Sequence, residues 1–307
     1  MITAQSLTKR YGNTVAVDDL TFTVGPGLVT GFLGPNGAGK STTMRMIMGL
    51  DSPTSGTATV KGRRYADLPA PLREVGALLD AGAMHPGRTG LSHLRIGARS
   101  NGIPLSRVET VIEQVGLGKA ASRRIKGYSL GMRQRLGIAA ALLGDPAILL
   151  FDEPVNGLEL DGVRWIRTLL RGFADEGRTV LISNHLMSEM QLIADRLVVV
   201  GRGRLIADAD VSDVLGNIDG AHVRVLTPEL ERLAGVLAAH ASIQTTGPDE
   251  LEVSGLSAAD IGEAARQHRI AIHHLAEVEQ SLEQAYLALT GESVEFHGST
   301  TTDGVMP

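Results

Sequence analysis
The chain has 307 residues and is 43% hydrophobic, enough for one large domain plus a small one and too apolar for wholesale disorder. Aromatics make up only 3%, so the core is expected to be Leu, Val, Ile and Ala. A net charge of −5 argues against nucleic acid, the lack of cysteine excludes disulfides and thiolate metal sites, and no apolar run approaches the roughly 18 residues of a membrane span.

The first residues, "MITAQSLTKRYGN", lack the apolar stretch of a secretory signal. If the chain serves a membrane, another chain must provide the channel. Residues 15–24 alternate apolar and polar side chains and predict a strand with one buried face. Gly25, Pro26 and Gly27 form a turn, residues 28–34 a short apolar strand, and residues 39–49 a helix. A further strand ends "TSGTATVKG", and residues 91–143 are mostly helical, with breaks at "NGIPLS" and "GYSLG". A strand over 147–151, a helix over 162–174, a strand over 179–183 and two strands around a Gly-rich turn follow. This alternation predicts an α/β core with a parallel sheet.

Between residues 210 and 220 the pattern changes to βαββαβ with a final helix, the order of a small ferredoxin-like α+β domain. The predicted domains are 1–219 and 220–292. A polar tail over 293–307 is expected to be disordered.

"GPNGAGKS" fits G-x-x-x-x-G-K-[ST] between an apolar strand and a helix. Gly34, Pro35, Asn36, Gly37, Ala38 and Gly39 would cradle phosphates with backbone N–H groups, and Lys40, Ser41 and Thr42 open the helix. Lys40 is expected on the β and γ phosphates, and the Ser41 hydroxyl on Mg²⁺. The bland alternative is a Gly-rich turn. "AILLFDEP" ends an apolar strand in two carboxylates. Asp152 is the expected Mg²⁺ ligand, and Glu153 the group that polarises the attacking water. His185, after "TVLIS", is a candidate γ-phosphate contact; a lone histidine there is more often structural.

Together these motifs resemble the nucleotide-binding subunit of an ATP-binding cassette (ABC) transporter, over about residues 1–220. The resemblance implies a P-loop NTPase cassette core, a parallel sheet with an antiparallel β-subdomain and a helical subdomain. It implies that Tyr11 stacks on adenine with Val17 beside it. "YSLGM" takes the place of the family's Leu-Ser-Gly-Gly-Gln signature, so Ser129 and Gly131 would contact ATP held by a second copy. The implied assembly is a head-to-tail dimer with two ATP molecules between protomers. It sits on a separate polytopic permease at the cytoplasmic face of the membrane, with no nucleic acid.

Three departures stand out: Tyr128, Leu130 and Met132 in the signature; Asp80 where a Mg²⁺-contacting glutamine is usual; and Glu159 where aspartate usually ends the interface loop. The expectation is a working ATPase, resembling drug- and bacteriocin-resistance exporters. The rival readings are an ATPase of the same fold acting on ribosomes or DNA, and a regulatory subunit with negligible turnover.

Overall fold
The computed structural model describes residues 1–216, 222–278 and 281–290. The chain divides into a large compact unit over Met1–Val211 and a small one over Ser212–Ala288. The predicted boundary at 219/220 and the predicted tail from residue 293 lie outside the described residues.

The large unit opens with β1 (Ile2–Tyr11) and β2 (Thr14–Val24), then β3 (Val29–Leu33), α1 (Lys40–Ile47) and β4 (Ser55–Val60). Next come α2 (Pro71–Glu74), β5 (Val75–Leu78), α3 (Gly90–Ser100), α4 (Ser106–Gln114) and α5 (Leu130–Ala141). It closes with β6 (Ile148–Asp152), α6 (Leu160–Asp175), β7 (Thr179–Ser183), α7 (Met187–Ile193), β8 (Arg196–Gly201) and β9 (Arg204–Asp210). Helix α8 (Val211–Gly216) follows.

Six strands form one sheet in the order β5-β6-β7-β3-β8-β9, parallel except for the antiparallel edge strand β9. Every residue of β3 and β7 is buried, as a parallel sheet covered on both faces requires. A second, antiparallel sheet runs β2-β1-β4. Its inner residues Ile2, Leu20 and Phe22 share one core with Phe32, Ile47, Leu181 and Val198. Phe22 and Phe32 stack with ring centroids 5.4 Å apart. That core fixes the residues after β3, β6 and β7, where the candidate site lies.

Two strands escaped the sequence reading. In β1 the pairing slips between Ala4 and Leu7 and again up to Arg10, and Ser6 has φ of 44°. These bulges break the alternation that marks a strand. β5 has only four residues and forms by pairing with β6, a partner far along the chain.

The small unit contains β10 (His222–Leu226), α9 (Leu230–Leu237), β11 (Ser242–Gly247), β12 (Glu250–Ser254), α10 (Ala258–His268), β13 (His274–Val278) and α11 (Leu282–Thr290). The sheet order is β11-β12-β10-β13, antiparallel throughout, which is the ferredoxin-like arrangement. Val223, Val225, Leu233, Leu251, Val253 and Ile261 form its core. In the apolar stretch "IAIHHL" the ladder begins only at the end, with β13 at His274. Arg269 caps α10 in a left-handed conformation, and residues 270–273 are spent on the link from helix to sheet.

Candidate active site
The turn between β3 and α1 is built by backbone that only glycine takes easily. Gly37 and Gly39 have φ of 83° and 95°. A Cβ on Gly39 would lie 2.4 Å from the Ala16 carbonyl oxygen, so this chain segment passes directly over the loop. α1 then starts with no side-chain cap and no acidic residue in its first turn. Its leading N–H groups and the positive end of its dipole are left for an anion.

Lys40 is buried, and its Nζ donates to the carbonyls of Gly34 at 2.5 Å and Pro35 at 3.1 Å. Burial pushes its pKa below the ordinary lysine value, against the opposing pull of Glu153 and Asp152. A cation held by two carbonyls at the base of a glycine loop is arranged to meet phosphate oxygens. The cleft above it, about 270 Å³, is lined by Ala16, Asn36, Gly37, Ala38, Gly39, Lys40, Ser41, Thr42, Asp152 and Glu153. Asn36 to Thr42 of the phosphate-loop candidates and both strand-end carboxylates therefore share one cavity, while Gly34 and Pro35 are not in its lining and meet Lys40 through their carbonyls.

Asp152 ends β6 in register with Ser183, the last residue of β7. The Ser183 hydroxyl donates to Asp152 Oδ1 and accepts from the Glu153 N–H at 3.1 Å. Glu153 stands in the left-handed region with φ of 52°. Its carboxylate accepts from His185 Nδ1 at 2.6 Å, and its carbonyl accepts from Gln134 Nε2 at 2.7 Å. Sequence reasoning missed Ser183 and Gln134. Ser183 carried one signal, a lone small polar residue closing an apolar strand beside another strand that ends in carboxylates. His185 is thus brought to Glu153.

The remaining predicted residues are placed differently. Tyr11 is half exposed, its hydroxyl donating to Asp51 Oδ2 at 3.0 Å and its ring lying 4.9 Å from Lys9 Nζ. Val17 is buried in the core, and it is Ala16 that reaches the cleft wall. Asp80 is exposed; its Oδ1 accepts from the Gly82 N–H at 2.6 Å, and it is absent from the cleft lining. A hydroxyl from Ser41 and a carboxylate from Asp152 remain as hard oxygen donors in one cleft. Among the described residues no cluster of three His, Cys, Asp or Glu forms a larger cage.

Ser129 and Gly131 lie in a different cleft of about 240 Å³, with Met132, Arg135, Gly157, Leu158, Glu159, Asp161 and Gly162. Ser129 caps α5, its hydroxyl accepting from the Met132 N–H at 3.2 Å. A Cβ on Gly131 would stand 2.7 Å from the Gly157 carbonyl oxygen. Leu130 is half exposed and lies on Gly157, where an added Cβ would meet its Cγ at 2.4 Å. None of these residues lines the phosphate cleft of the same chain.

Residues 17–156 match the ABC transporter family. The chain is 35% identical over 295 residues to the uncharacterized ABC transporter ATP-binding protein YhcH of Bacillus subtilis, across 95% of this chain and 96% of that one. The chain belongs to the ABC transporter ATP-binding proteins. As such it is an ATP-binding and ATP-hydrolysing subunit. The bacitracin transport ATP-binding protein BcrA of Enterococcus faecalis is 39% identical over 217 residues, 70% of each chain. A solved dimeric, post-hydrolysis state of the ATP-binding cassette MJ0796 bound to ADP and Pi superposes with a TM-score of 0.63. At 23% identity over 69% of this chain and 99% of that one, it bears on the fold alone. Residues 221–283 match a domain of unknown function, DUF8746. Among the described residues no helix of this ABC protein is long and apolar enough to cross a membrane.

Proposed function
We propose that two copies of this chain close head to tail on two ATP molecules and drive a separate polytopic membrane permease that exports a peptide or drug-like antibiotic. The observation that carries this reading is the split of the site. Lys40, Ser41, Asp152 and Glu153 line one cleft, while Ser129 and Gly131, at a helix N-terminus, line another. Each cleft is half of a triphosphate site, and a twofold pairing of copies supplies the other half.

Lys40 binds the β and γ phosphates together with the N–H groups of residues 37–42. Ser41 and Asp152 would hold Mg²⁺ as hard oxygen donors. Bound there, Mg²⁺ would neutralise charge on the phosphates. Glu153 accepts the proton of the attacking water, and His185, hydrogen-bonded to it, holds that carboxylate in place. Ser129 and the α5 N-terminus hold the γ-phosphate of the partner's nucleotide. Hydrolysis removes the group that both copies grip, and the pair opens. A permease attached to the chain converts that switch into alternating access. Tyr11, at the end of β1, serves the adenine, with Val17 as buried support; Asp80 reaches Mg²⁺ only if its loop turns over.

An antibiotic-type cargo is supported by the likeness to a bacitracin transport protein, and the working site is then the cytoplasmic face of the membrane. The test mixes a Ser129→Arg protein with a Lys40→Ala protein. Their mixed dimer holds one intact composite site. Turnover well above either variant alone is expected; a mixture as inactive as its components would refute the shared site.

A further inference from the structure
The catalytic glutamate is held from a direction that the phosphate chemistry does not explain. Glu153 is a non-glycine residue in left-handed backbone. Such a conformation is strained and persists only where the surroundings over-determine it. Its N–H is fixed by Ser183 at the end of β7. Its carbonyl is fixed from α5, by Gln134 Nε2 at 2.7 Å, besides a local 3.2 Å bond from the Asn156 N–H.

Gln134 is an odd choice for its place. It is only 4% exposed, and its neighbours on α5 are Leu136, Gly137, Ile138 and Ala139, all buried. Only the amide nitrogen can face a carbonyl, so the side-chain orientation is set by chemistry. The amide oxygen is then buried with no hydrogen-bond partner in the structure. An unpaired buried acceptor is destabilising, and an apolar side chain of the same length would avoid that. Packing alone therefore does not account for a glutamine. Among the described residues its one side-chain hydrogen bond is to Glu153.

We infer that Gln134 is a positioning residue for Glu153: its amide pins the strained main chain so that the carboxylate meets the attacking water. It does so from α5, the helix that Ser129 caps, so the base is aligned by the same element that closes on the partner's nucleotide. This rests on Glu153 being the general base of the proposed site.

The test is ATP hydrolysis by the full chain carrying Gln134→Met, which keeps the length and loses the donor, and by Gln134→Glu, which keeps the shape and also loses it at neutral pH. Each variant is built in the wild-type and the Glu153→Gln backgrounds. In the wild-type background kcat should fall roughly 10- to 100-fold, the scale of a misplaced catalytic group. The ATP concentration for half-maximal rate should stay within about twofold, since Gln134 is not among the residues that line the cleft above Lys40. In the Glu153→Gln background the residual rate should not fall further, because Gln134 acts only through Glu153. Wild-type kcat in a folded variant, or an equal loss in both backgrounds, would overturn the inference. If Glu153→Gln alone turns over normally, the assignment of the base fails and this inference with it. If Glu153→Gln is inactive and both Gln134 variants are not, this inference alone fails.

Discussion

Glu153 accepts a 2.6 Å hydrogen bond from His185 Nδ1, joining the end of β6 to the segment after β7. The pair acts as a unit, so its losses should not add. Glu153→Gln is expected to lower kcat by roughly 10²–10⁴ and His185→Ala by about 10². The double variant should be no slower than Glu153→Gln alone, within about twofold. Steady-state phosphate release on the three proteins decides this; a multiplied loss would mean that His185 acts independently of Glu153.

The buried Lys40 ammonium is matched by two carbonyls, and burial depresses its pKa. A lowered pKa means that the proton leaves at a lower pH than from a free lysine, and the positive charge goes with it. ATP affinity should therefore decline on the alkaline side before about pH 10.4, the ordinary lysine value. Lys40→Arg, which stays charged, should flatten that decline, and Lys40→Ala should abolish tight binding at every pH. Calorimetric titrations across the alkaline range would check this. Equal slopes for wild type and Lys40→Arg would contradict it.

Gly39 and Gly177 both have positive φ, at 95° and 83°, but only Gly39 lies against backbone. Gly39→Ala brings a Cβ to 2.4 Å from the Ala16 carbonyl, whereas Gly177→Ala meets nothing within 4 Å. Gly177→Ala should cost about 1 kcal/mol of stability, and Gly39→Ala about 2–4 kcal/mol. Urea unfolding of both variants separates conformational strain from the steric contact. Equal destabilisation would show that the contact relaxes freely.

Leu130 lies on Gly157, the residue between Asn156 and Leu158 in the loop before α6. Gly157→Ala would put a methyl 2.4 Å from Leu130 Cγ and force the signature and the loop apart. In a Leu130→Gly background that clash is gone, and only the left-handed strain at φ of 72° remains. Gly157→Ala should then cost about 1–2 kcal/mol less than in the wild type. A double-mutant cycle in urea measures this coupling, and a value near zero would remove the contact from the account.

That residues 36–42 would meet Asp152 and Glu153 in one cleft was legible in the sequence, because each stretch depends on short, fixed spacing next to a buried strand. The parallel sheet and the small βαββαβ unit followed from periodicity. What the sequence concealed depends on contacts between distant segments. β1 hides behind its bulges at Ser6 and Leu7, and β5 exists only by pairing with β6. Ser183 and Gln134 reach Asp152 and Glu153 from residues 31 and 19 positions away. Ala16 rather than Val17 reaches the cleft wall because the strand's pleat, which no motif encodes, turns Val17 inward. The Tyr11 hydroxyl is drawn to Asp51, a partner forty residues on that local sequence does not announce.

The central claim is that one ATP is gripped by two copies of this chain, by Lys40 of one and Ser129 of the other. The most direct measurement is the solution mass of Glu153→Gln with and without saturating ATP, by light scattering. The account predicts twice the 32.4 kDa monomer with ATP, return to monomer on ATP removal, and no dimer when Lys40→Ala or Ser129→Arg is added. A Glu153→Gln protein that binds ATP and remains at 32.4 kDa, or one whose dimer is indifferent to Ser129→Arg, would contradict it.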